Sequence, residues 1–401
     1  MKRPGPIAQT ALALVAAAAI WLPALHLCFR ARVADYRADA GLAPCARELA
    51  NAHLSLWADS AARAAEIARM RRSNAEWDFM GRTFVVLALA NMSLREPAQQ
   101  GRYLEVMDTI IDETVRQEKA HGVYYFLMDY AREGDFLGPT HRSLFEDGEI
   151  AWMMAARRCV EEKPAYLAPF AERVALMRRQ MEAGPVLCGE SYPDECWMFC
   201  NAVALAVFRM SDALDGTDHA NFIARWLATA RARLVDPKTG LLISKFSLAG
   251  EAGDGPEGSS IWMVAHCLQL VDRDFAADQY RRARRELARN ALGFGYAREW
   301  PASWIGPADI DSGPVLPVLG VSAGSSGMAI LGAAAFDDRA YLGSLLTTLN
   351  FGGFPARAGG RLRYRASNQV GDAVLLYAST LGPLWAEVET KAAARGQGVR
   401  P

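Results

Sequence analysis

From residue 45 onward, apolar residues recur at three- and four-residue spacing, and strand-like alternation is nearly absent. This pattern predicts a succession of helices. Four of them are amphipathic and charged, at 98–119, 164–183, 217–234 and 274–292. Six others are apolar or small-residue on nearly every side, at 76–94, 147–160, 193–214, 258–272, 313–334 and 368–381. Because helices of the second kind are buried and those of the first are external, the alternation predicts an all-α fold, an (α/α)6 barrel.

The first 32 residues differ from the rest. An uncharged stretch, 7–29, ends at Arg30 and Arg32 and spans about 35 Å as a helix, against a hydrocarbon core of ~30 Å. We therefore predict an N-terminal signal anchor over 1–32 that crosses the cytoplasmic (inner) membrane once, in contact with the lipid bilayer through 7–29. Basic residues before it favour an extracytoplasmic, periplasmic domain. A cleaved signal peptide is the alternative.

The remaining chain is predicted to be one barrel domain, 33–394, with a disordered tail, 395–401. The 44 basic and 45 acidic residues of the whole chain are well mixed, which excludes a nucleic-acid partner on the usual electrostatic grounds. The seven cysteines have no metal-ligand spacing and no neighbouring histidine pair, so no metal is predicted. The disulfide status of Cys188, Cys196 and Cys200 stays open.

Long loops are predicted at 120–146, 235–257, 293–312 and 350–367, and each precedes an inner helix. In a barrel of this kind they lie at the same end, around one cleft. The starts of the inner helices are rich in acid: Asp78, Glu146, Asp147, Glu149, Asp194, Glu195, Glu257, Asp309, Asp311 and Asp372. Carboxylates at helix N-termini can simply complement the helix dipole. Several in one cleft would also supply the separated pKa values that general acid–base catalysis needs.

Aromatic residues accompany these acids. Trp77, Trp152, Trp197 and Trp262 fall early in inner helices, while Tyr192, Trp300, Trp304 and Tyr364 lie in or beside loops. They indicate either core packing or the flat apolar walls of a ligand cleft. The segments 191–201 and 306–314 are the two motifs that we expect to present site residues.

The segment 191–201, together with the stretch up to residue 275, resembles the bacterial linalool dehydratase/isomerase family. The resemblance includes Pro193-Asp194, Cys200-Asn201 and Asp236-Pro237. It implies an (α/α)6 barrel, a cofactor-independent hydro-lyase or isomerase of allylic alcohols, and assembly as a homo-oligomer. Of the family's catalytic positions, it places the second cysteine on Cys200, the first on Ser191, the histidine on Glu149 and a tyrosine near Gly258. For the family's aspartate, Asp59 is the nearest candidate.

We therefore expect a membrane-anchored enzyme that dehydrates or isomerises a small, partly apolar alcohol. The alternatives are a glycoside hydrolase or glycan-lyase-like barrel and a non-catalytic, membrane-tethered binding module. The expected catalytic residues are Glu149, Asp194, Asp311 and Cys200. The expected substrate-binding residues are Asp147, Ser191, Tyr192, Glu195, Trp197, Trp262, Trp304, Asp309 and Tyr364.

Overall fold

The computed structural model describes residues 5–306, 312–317 and 319–396, and α-helices dominate them. In chain order, α1 to α15 are Pro6–Ala24, Pro44–Ala58, Ser60–Ser73, Ala75–Arg95, Gln100–His121, Leu144–Val160, Pro164–Ala183, Met198–Asp215, Ala220–Arg233, Gly258–Leu268, Arg273–Glu286, Ala323–Ala335, Arg339–Gly352, Gln369–Thr380 and Pro383–Ala394. Short 3₁₀ turns occur at Leu25–Phe29, Val33–Asp35, Pro97–Gln99 and Asp129–Glu133.

Six helices form a closed ring. Each of α4, α6, α8, α10 and α12 packs against the next one in this series, and α14 packs against both α12 and α4. These are the six helices whose sequences are apolar nearly all round, and their side chains are buried on most sides. An (α/α)6 barrel is therefore the fold, as the alternation of helix character predicts.

The outer helices return the chain to the same end after each inner helix. Helix α5 packs against α4 and α6, α7 against α6 and α8, α11 against α10, and α13 against α12. Between α14 and the start of the ring, the outer position is taken by α2, which packs against α14 and α5. All six inner helices therefore begin at one end of the barrel, where the loops gather.

The opposite end is closed by the last helix. Helix α15 contacts α4, α6 and α8 together. Its Trp385 stacks on His266 with ring centroids 4.8 Å apart, and its Leu384 amide donates to Asn91 at 2.9 Å. This helix therefore covers the end of the ring that lies opposite the loops.

Short strands interrupt the loops, although the sequence pattern predicts almost none. Strands β1 to β9 are Cys196–Trp197, Lys245–Phe246, Ala252–Asp254, Ala288–Ala291, Phe294–Ala297, Val315–Leu316, Val321–Ser322, Pro355–Ala358 and Arg361–Tyr364. They form antiparallel sheets in the orders β1-β2-β3, β4-β5-β7-β6 and β8-β9. Strands of two to four residues are too short to show an alternating pattern, which is why the sequence does not reveal them.

Helix α8 begins later than its sequence suggests. Pro193 fits the first position of a helix, but 191–197 form a tight turn with a bridge between Tyr192 and Glu195, and the helix starts at Met198. Asp194 adopts a left-handed backbone conformation, with φ of 53°. The turn therefore presents its side chains at the open end of the barrel.

Helix α1 is long and apolar enough to cross a membrane, as predicted. None of its side chains is buried in the protein. The 3₁₀ turn that comes after it packs on α13, where Phe29 meets Phe351 edge-to-face at 5.0 Å. The apolar helix therefore leaves the domain at a defined place on the barrel wall.

A buried ion-pair network joins α5, α6 and α7. Asp147 of α6 accepts from Arg142 at 2.6 Å and from Arg173 at 2.5 Å, and both arginines also bind Glu118 of α5. Asp147 is buried, and so is Glu118. Removing one partner of such a network leaves an uncompensated buried charge, which typically costs about 3–5 kcal/mol.

We therefore predict that Asp147→Asn lowers the free energy of unfolding by roughly 3 kcal/mol or more. Glu182→Gln is the matched control, because the Arg178–Glu182 pair is partly exposed and such pairs contribute about 0–1 kcal/mol. Denaturant midpoints of the full chain in detergent measure both. Equal losses in the two variants would show that the network does not hold these helices together.

Candidate functional site

A cleft of about 480 Å³ lies at the open end of the barrel. Every inner helix contributes to it at or near its N-terminal end. The contributing residues include Trp77 of α4, Phe145 of α6, Cys200 of α8, Ser260 of α10, Gly327 of α12 and Val370 of α14. The loops before α8, α12 and α14 add their own residues to the rim.

The wall of the cleft is mainly apolar. Trp77, Met80, Phe199 and Met328 are among the apolar residues that line it. Among the described residues that line it, two are acidic, Glu76 at the start of α4 and Glu257 at the N-cap of α10. A cleft with this composition suits a ligand that is partly apolar and carries a few polar groups.

Glu149 is a buried carboxyl group in the barrel interior next to the cleft. Its side chain is 2% exposed, and Thr83 of α4 is its hydrogen-bond partner. Burial raises its pKa to about 8, because removing the carboxylate from water disfavours the charged form. Glu149 is therefore largely protonated at neutral pH and can act as a proton donor.

Cys200 connects this acid with the cleft. Its thiol lies at the cleft surface, within electrostatic reach of both Glu149 and Glu76 and hydrogen-bonded to Ser191. Burial raises the pKa of the Cys200 thiol far above its usual value, and the two carboxyl groups add to the shift. Cys200 is therefore a neutral S–H group rather than a thiolate nucleophile.

Tyr192 and Glu76 form a second polar pair on the cleft wall. The Tyr192 hydroxyl donates to Glu76 and accepts from the Met128 amide at 2.8 Å. The ring of Tyr130 stacks on Tyr192 at 4.9 Å. These contacts fix the carboxylate of Glu76 at the entrance of the first inner helix.

The turn that carries Ser191 and Tyr192 is held by a buried acid. Glu190 accepts from the backbone amides of Leu137, Gly138 and Asp194. Its side chain is fully buried, so its charge is balanced by these amides rather than by water. Glu190 thereby ties two loops together beneath the cleft rim.

Several of the predicted site residues do come together. Ser191, Tyr192, Trp197 and Cys200 line the cleft, and Glu149 lies next to Cys200. The indole N–H of Trp197 donates to Glu195 at 3.3 Å, which fixes the orientation of the ring. Three positions that the family resemblance makes catalytic, Glu149, Ser191 and Cys200, thus converge at one place.

Other predicted residues lie elsewhere. Asp147 belongs to the arginine network described above, and Asp194 is exposed on the turn, where it accepts from the Leu248 amide at 3.3 Å. Trp262 is buried between Tyr280 and Tyr341.

The remaining candidates also lie outside the cleft or beyond the described residues. Trp304 packs against Gly255 and Gly306. The Tyr364 hydroxyl pairs with that of Tyr36 at 2.6 Å. Asp309 and Asp311 lie outside the described residues. Asp59, the nearest match for the family's aspartate, caps α3 by accepting from the amides of Ala61 and Ala62.

Two cleft carboxylates are absent from the predicted catalytic and binding residues. The acids that the sequence analysis names at the helix starts include Asp78 and not Glu76. Residues two apart on a helix point about 200° away from each other, so the side chains of Glu76 and Asp78 cannot both face the cleft. Asp78 faces outward to Arg82 at 2.8 Å, which leaves Glu76 on the cleft side. Glu257 carries a sequence signal, since it immediately precedes an apolar helix.

The described residues contain no group of three histidine, cysteine or acidic side chains arranged to hold a metal ion. All seven cysteines are free in the structure, including Cys188, Cys196 and Cys200.

Comparisons with protein-family models and with curated proteins give no match. Among solved structures, the GH76 α-mannanase of Bacteroides thetaiotaomicron is similar over 75% of this chain and 84% of its own, with a TM-score of 0.47 and 12% identity. A similarity at this level does not identify a substrate.

The raised pKa of Glu149 predicts a pH-dependent gain in stability when the acid is removed. In the unfolded chain Glu149 ionises near its ordinary pKa of 4.5, but in the folded chain only near 8. Between these two pH values the folded state holds a proton that the unfolded state has released. The contribution of Glu149 to the free energy of unfolding is therefore fully present below the unfolded-state pKa and is lost as pH rises toward 8.

We therefore expect Glu149→Gln to gain stability over the wild type as pH rises from about 5 to about 8, by up to about 1.4 kcal/mol per pH unit. Unfolding midpoints measured across this range provide the test. Burial also raises the pKa of Asp372, to about 7. Because wild type and variant both contain Asp372, its pH-dependent contribution to stability cancels when the two proteins are compared. A stability difference that is constant with pH would mean that Glu149 is ionised in the folded state.

Proposed function

We propose that the cleft is the active site of a cofactor-independent enzyme that removes or shifts a hydroxyl group on a small, partly apolar alcohol. The observation that carries the proposal is Glu149, a protonated carboxyl group next to an otherwise mainly apolar cleft. The resemblance to the linalool dehydratase/isomerase family is the second support, although Glu149 stands for the family's histidine and Ser191 for its first cysteine, and only Cys200 keeps the family's residue.

In this mechanism Glu149 supplies the proton that makes the hydroxyl group a leaving group. Cys200 lines the cleft, is hydrogen-bonded to Ser191 and lies within electrostatic reach of Glu149, so its S–H group and the Ser191 hydroxyl would orient the hydroxyl oxygen and pass the proton to it. The carbon–oxygen bond breaks and water leaves, while the apolar walls surround the developing allylic cation. A base then removes a proton from carbon and an alkene forms.

Glu76 is the base that the geometry supports best. It lines the cleft and is held by Tyr192, whereas Asp194 is exposed outside it. Two carboxyl groups in different surroundings can hold different protonation states at one pH. Glu149 is buried, its hydrogen-bond partner is a neutral threonine, and it keeps its proton. Glu76 lines the cleft at the start of α4 and accepts a hydrogen bond from the Tyr192 hydroxyl.

The test is turnover of a panel of allylic alcohols and terpenols by the full chain in detergent, with alkene products measured by gas chromatography and mass spectrometry. We predict that Glu149→Gln and Glu76→Gln each lower kcat by about 10²-fold or more, the usual contribution of a general acid or base. Asp194→Asn is the matched control, an acid close in sequence to the cleft residues but outside the cleft, and it should retain activity. Loss of activity in Asp194→Asn with retention in Glu76→Gln would reverse the assignment of the base.

A glycoside hydrolase is the second candidate, and it is favoured by a separate observation. Glu76 and Glu257 line the cleft from α4 and α10, which are three positions apart and so face each other across the ring of six. Paired carboxylates flanking a sugar are what glycoside hydrolysis requires, and Trp77 and Trp197 could stack on it.

Glu257→Gln separates the two candidates. If the protein is a glycosidase that uses this pair, both Glu76→Gln and Glu257→Gln should lose hydrolysis of oligosaccharides. The dehydration mechanism predicts that, of these two variants, Glu76→Gln loses turnover of the alcohol and Glu257→Gln keeps it. Binding of either ligand class without any turnover would favour the non-catalytic binding module instead.

A further inference from the structure

A surface outside the cleft combines exposed apolar and basic side chains around the place where α1 leaves the domain. Phe351 and Phe354, at and just after the end of α13, are 45% and 63% exposed, and Leu292 in the β4–β5 turn is 53% exposed. Single exposed apolar residues are ordinary. These three surround the segment that joins the domain to an apolar helix long enough to cross a membrane.

The contacts of that segment locate the surface. Phe29, the last residue of the uncharged stretch, packs on Phe351, and the Asn350 side-chain amide donates to the Phe29 carbonyl at 3.3 Å. His26 lies edge-on to Phe294 at 6.2 Å, beside the turn that carries Leu292. The end of the apolar helix is therefore in direct contact with this part of the barrel wall.

The β8–β9 hairpin supplies positive charge to the same surface. Between residues 355 and 365 it carries four arginines and no acid. Arg361, Arg363 and Arg365 alternate with the buried Leu362 and Tyr364, so the three guanidinium groups share the outward face.

Three of these arginines form no ion pair with a described residue. They are Arg361, Arg363 and Arg365, of which Arg363 donates to the neutral Gln369 at 3.4 Å, whereas Arg357 binds Glu48 at 2.8 Å. Arg365 also borders a groove of about 660 Å³ together with Phe29, Arg30, Phe351 and Phe354. One acid, Asp35, is among the described residues that line the groove, and it pairs with Arg32 at 2.8 Å.

We propose that this surface, formed by Leu292, Phe351, Phe354, the β9 residues Arg361 and Arg363 and the adjacent Arg365, lies on the anionic headgroup layer of the bilayer that α1 enters. Apolar side chains flanked by arginine are the composition of an interfacial membrane contact. Both the charge and the position of the surface fit this contact. Phe29 is the last residue of the uncharged stretch, which places it at the boundary between hydrocarbon and headgroups, and the surface packs directly against it. The proposal is independent of the reaction in the cleft.

The rim of the cleft adjoins this surface. Arg365 borders the groove, and the next three residues, Ala366, Ser367 and Asn368, line the cleft. A domain seated in this way would be held with the cleft mouth close to the bilayer rather than free to turn about a flexible tether.

The experiment is hydrogen–deuterium exchange of the full chain in nanodiscs of phosphatidylcholine alone and of a mixture with phosphatidylglycerol. We predict that amides of 351–365 exchange more slowly in the anionic discs by a factor of about three or more, as expected from one or two arginines near an anionic surface. The difference should shrink in high salt, because mobile ions screen charges near the surface.

The matched variants remove three charges each. In the first variant Arg361, Arg363 and Arg365 are all changed to Gln. It should abolish the dependence of amide exchange in 351–365 on lipid charge. The control changes Arg102, Arg116 and Arg179, exposed residues of α5 and α7 on the far side of the ring from α13, to Gln and should leave it intact. Exchange of 351–365 that is the same in both kinds of disc, or a control triple that loses the effect equally, would overturn the proposal. If the variant that lacks Arg361, Arg363 and Arg365 does not fold, the comparison of lipids and salt concentrations on the wild type tests the proposal by itself.

Discussion

Closure of the six-helix ring is the constraint on which the rest of the structure depends. Once α14 packs against α4, every acid near the start of an inner helix must face the cleft, face an outer helix or lie inside the ring. A carboxylate inside apolar surroundings must be paired or must take up a proton. Asp78 and Asp147 are paired with arginines, whereas Glu149 bonds to a neutral threonine and keeps its proton. The same constraint therefore produces both the ion-paired acids and the protonated one.

The sequence predicts the ring well because its signal is long. Six apolar segments, the amphipathic helices between them and the loops at one end can be read from periodicity, and the structure confirms this arrangement. Two predicted helices are too long: 313–334 begins as a helix only at Ala323, after strands β6 and β7, and 274–292 ends as a helix at Glu286, before strand β4. The pattern is weaker at the level of single side chains. Glu76 and Asp78, like Asp147 and Glu149, are two residues apart and point in nearly opposite directions, so a shift of one position in the assumed helix face exchanges their roles.

The turn before α8 shows a different limit of sequence reasoning. Pro193 with two acids directly after it has the composition of a helix start, and local preference alone favours that interpretation. The competing turn is stabilised by Glu190, whose carboxylate accepts three amides, two of them from a loop more than fifty residues earlier in the chain. A contact of that kind leaves no local pattern. It also shapes the cleft, since the turn places Ser191 and Tyr192 on its wall.

The position of Glu149 explains why its proton is held so firmly. The side chain is buried inside the ring, within electrostatic reach of Cys200, and its hydrogen-bond partner is the neutral Thr83. Burial disfavours the carboxylate, because the loss of hydration is not offset by a hydrogen bond from a neutral group. Under the proposed mechanism the proton would leave the barrel interior through Cys200, which lines the cleft. The packing of the six inner helices that buries this acid therefore also determines the route by which its proton could reach a ligand.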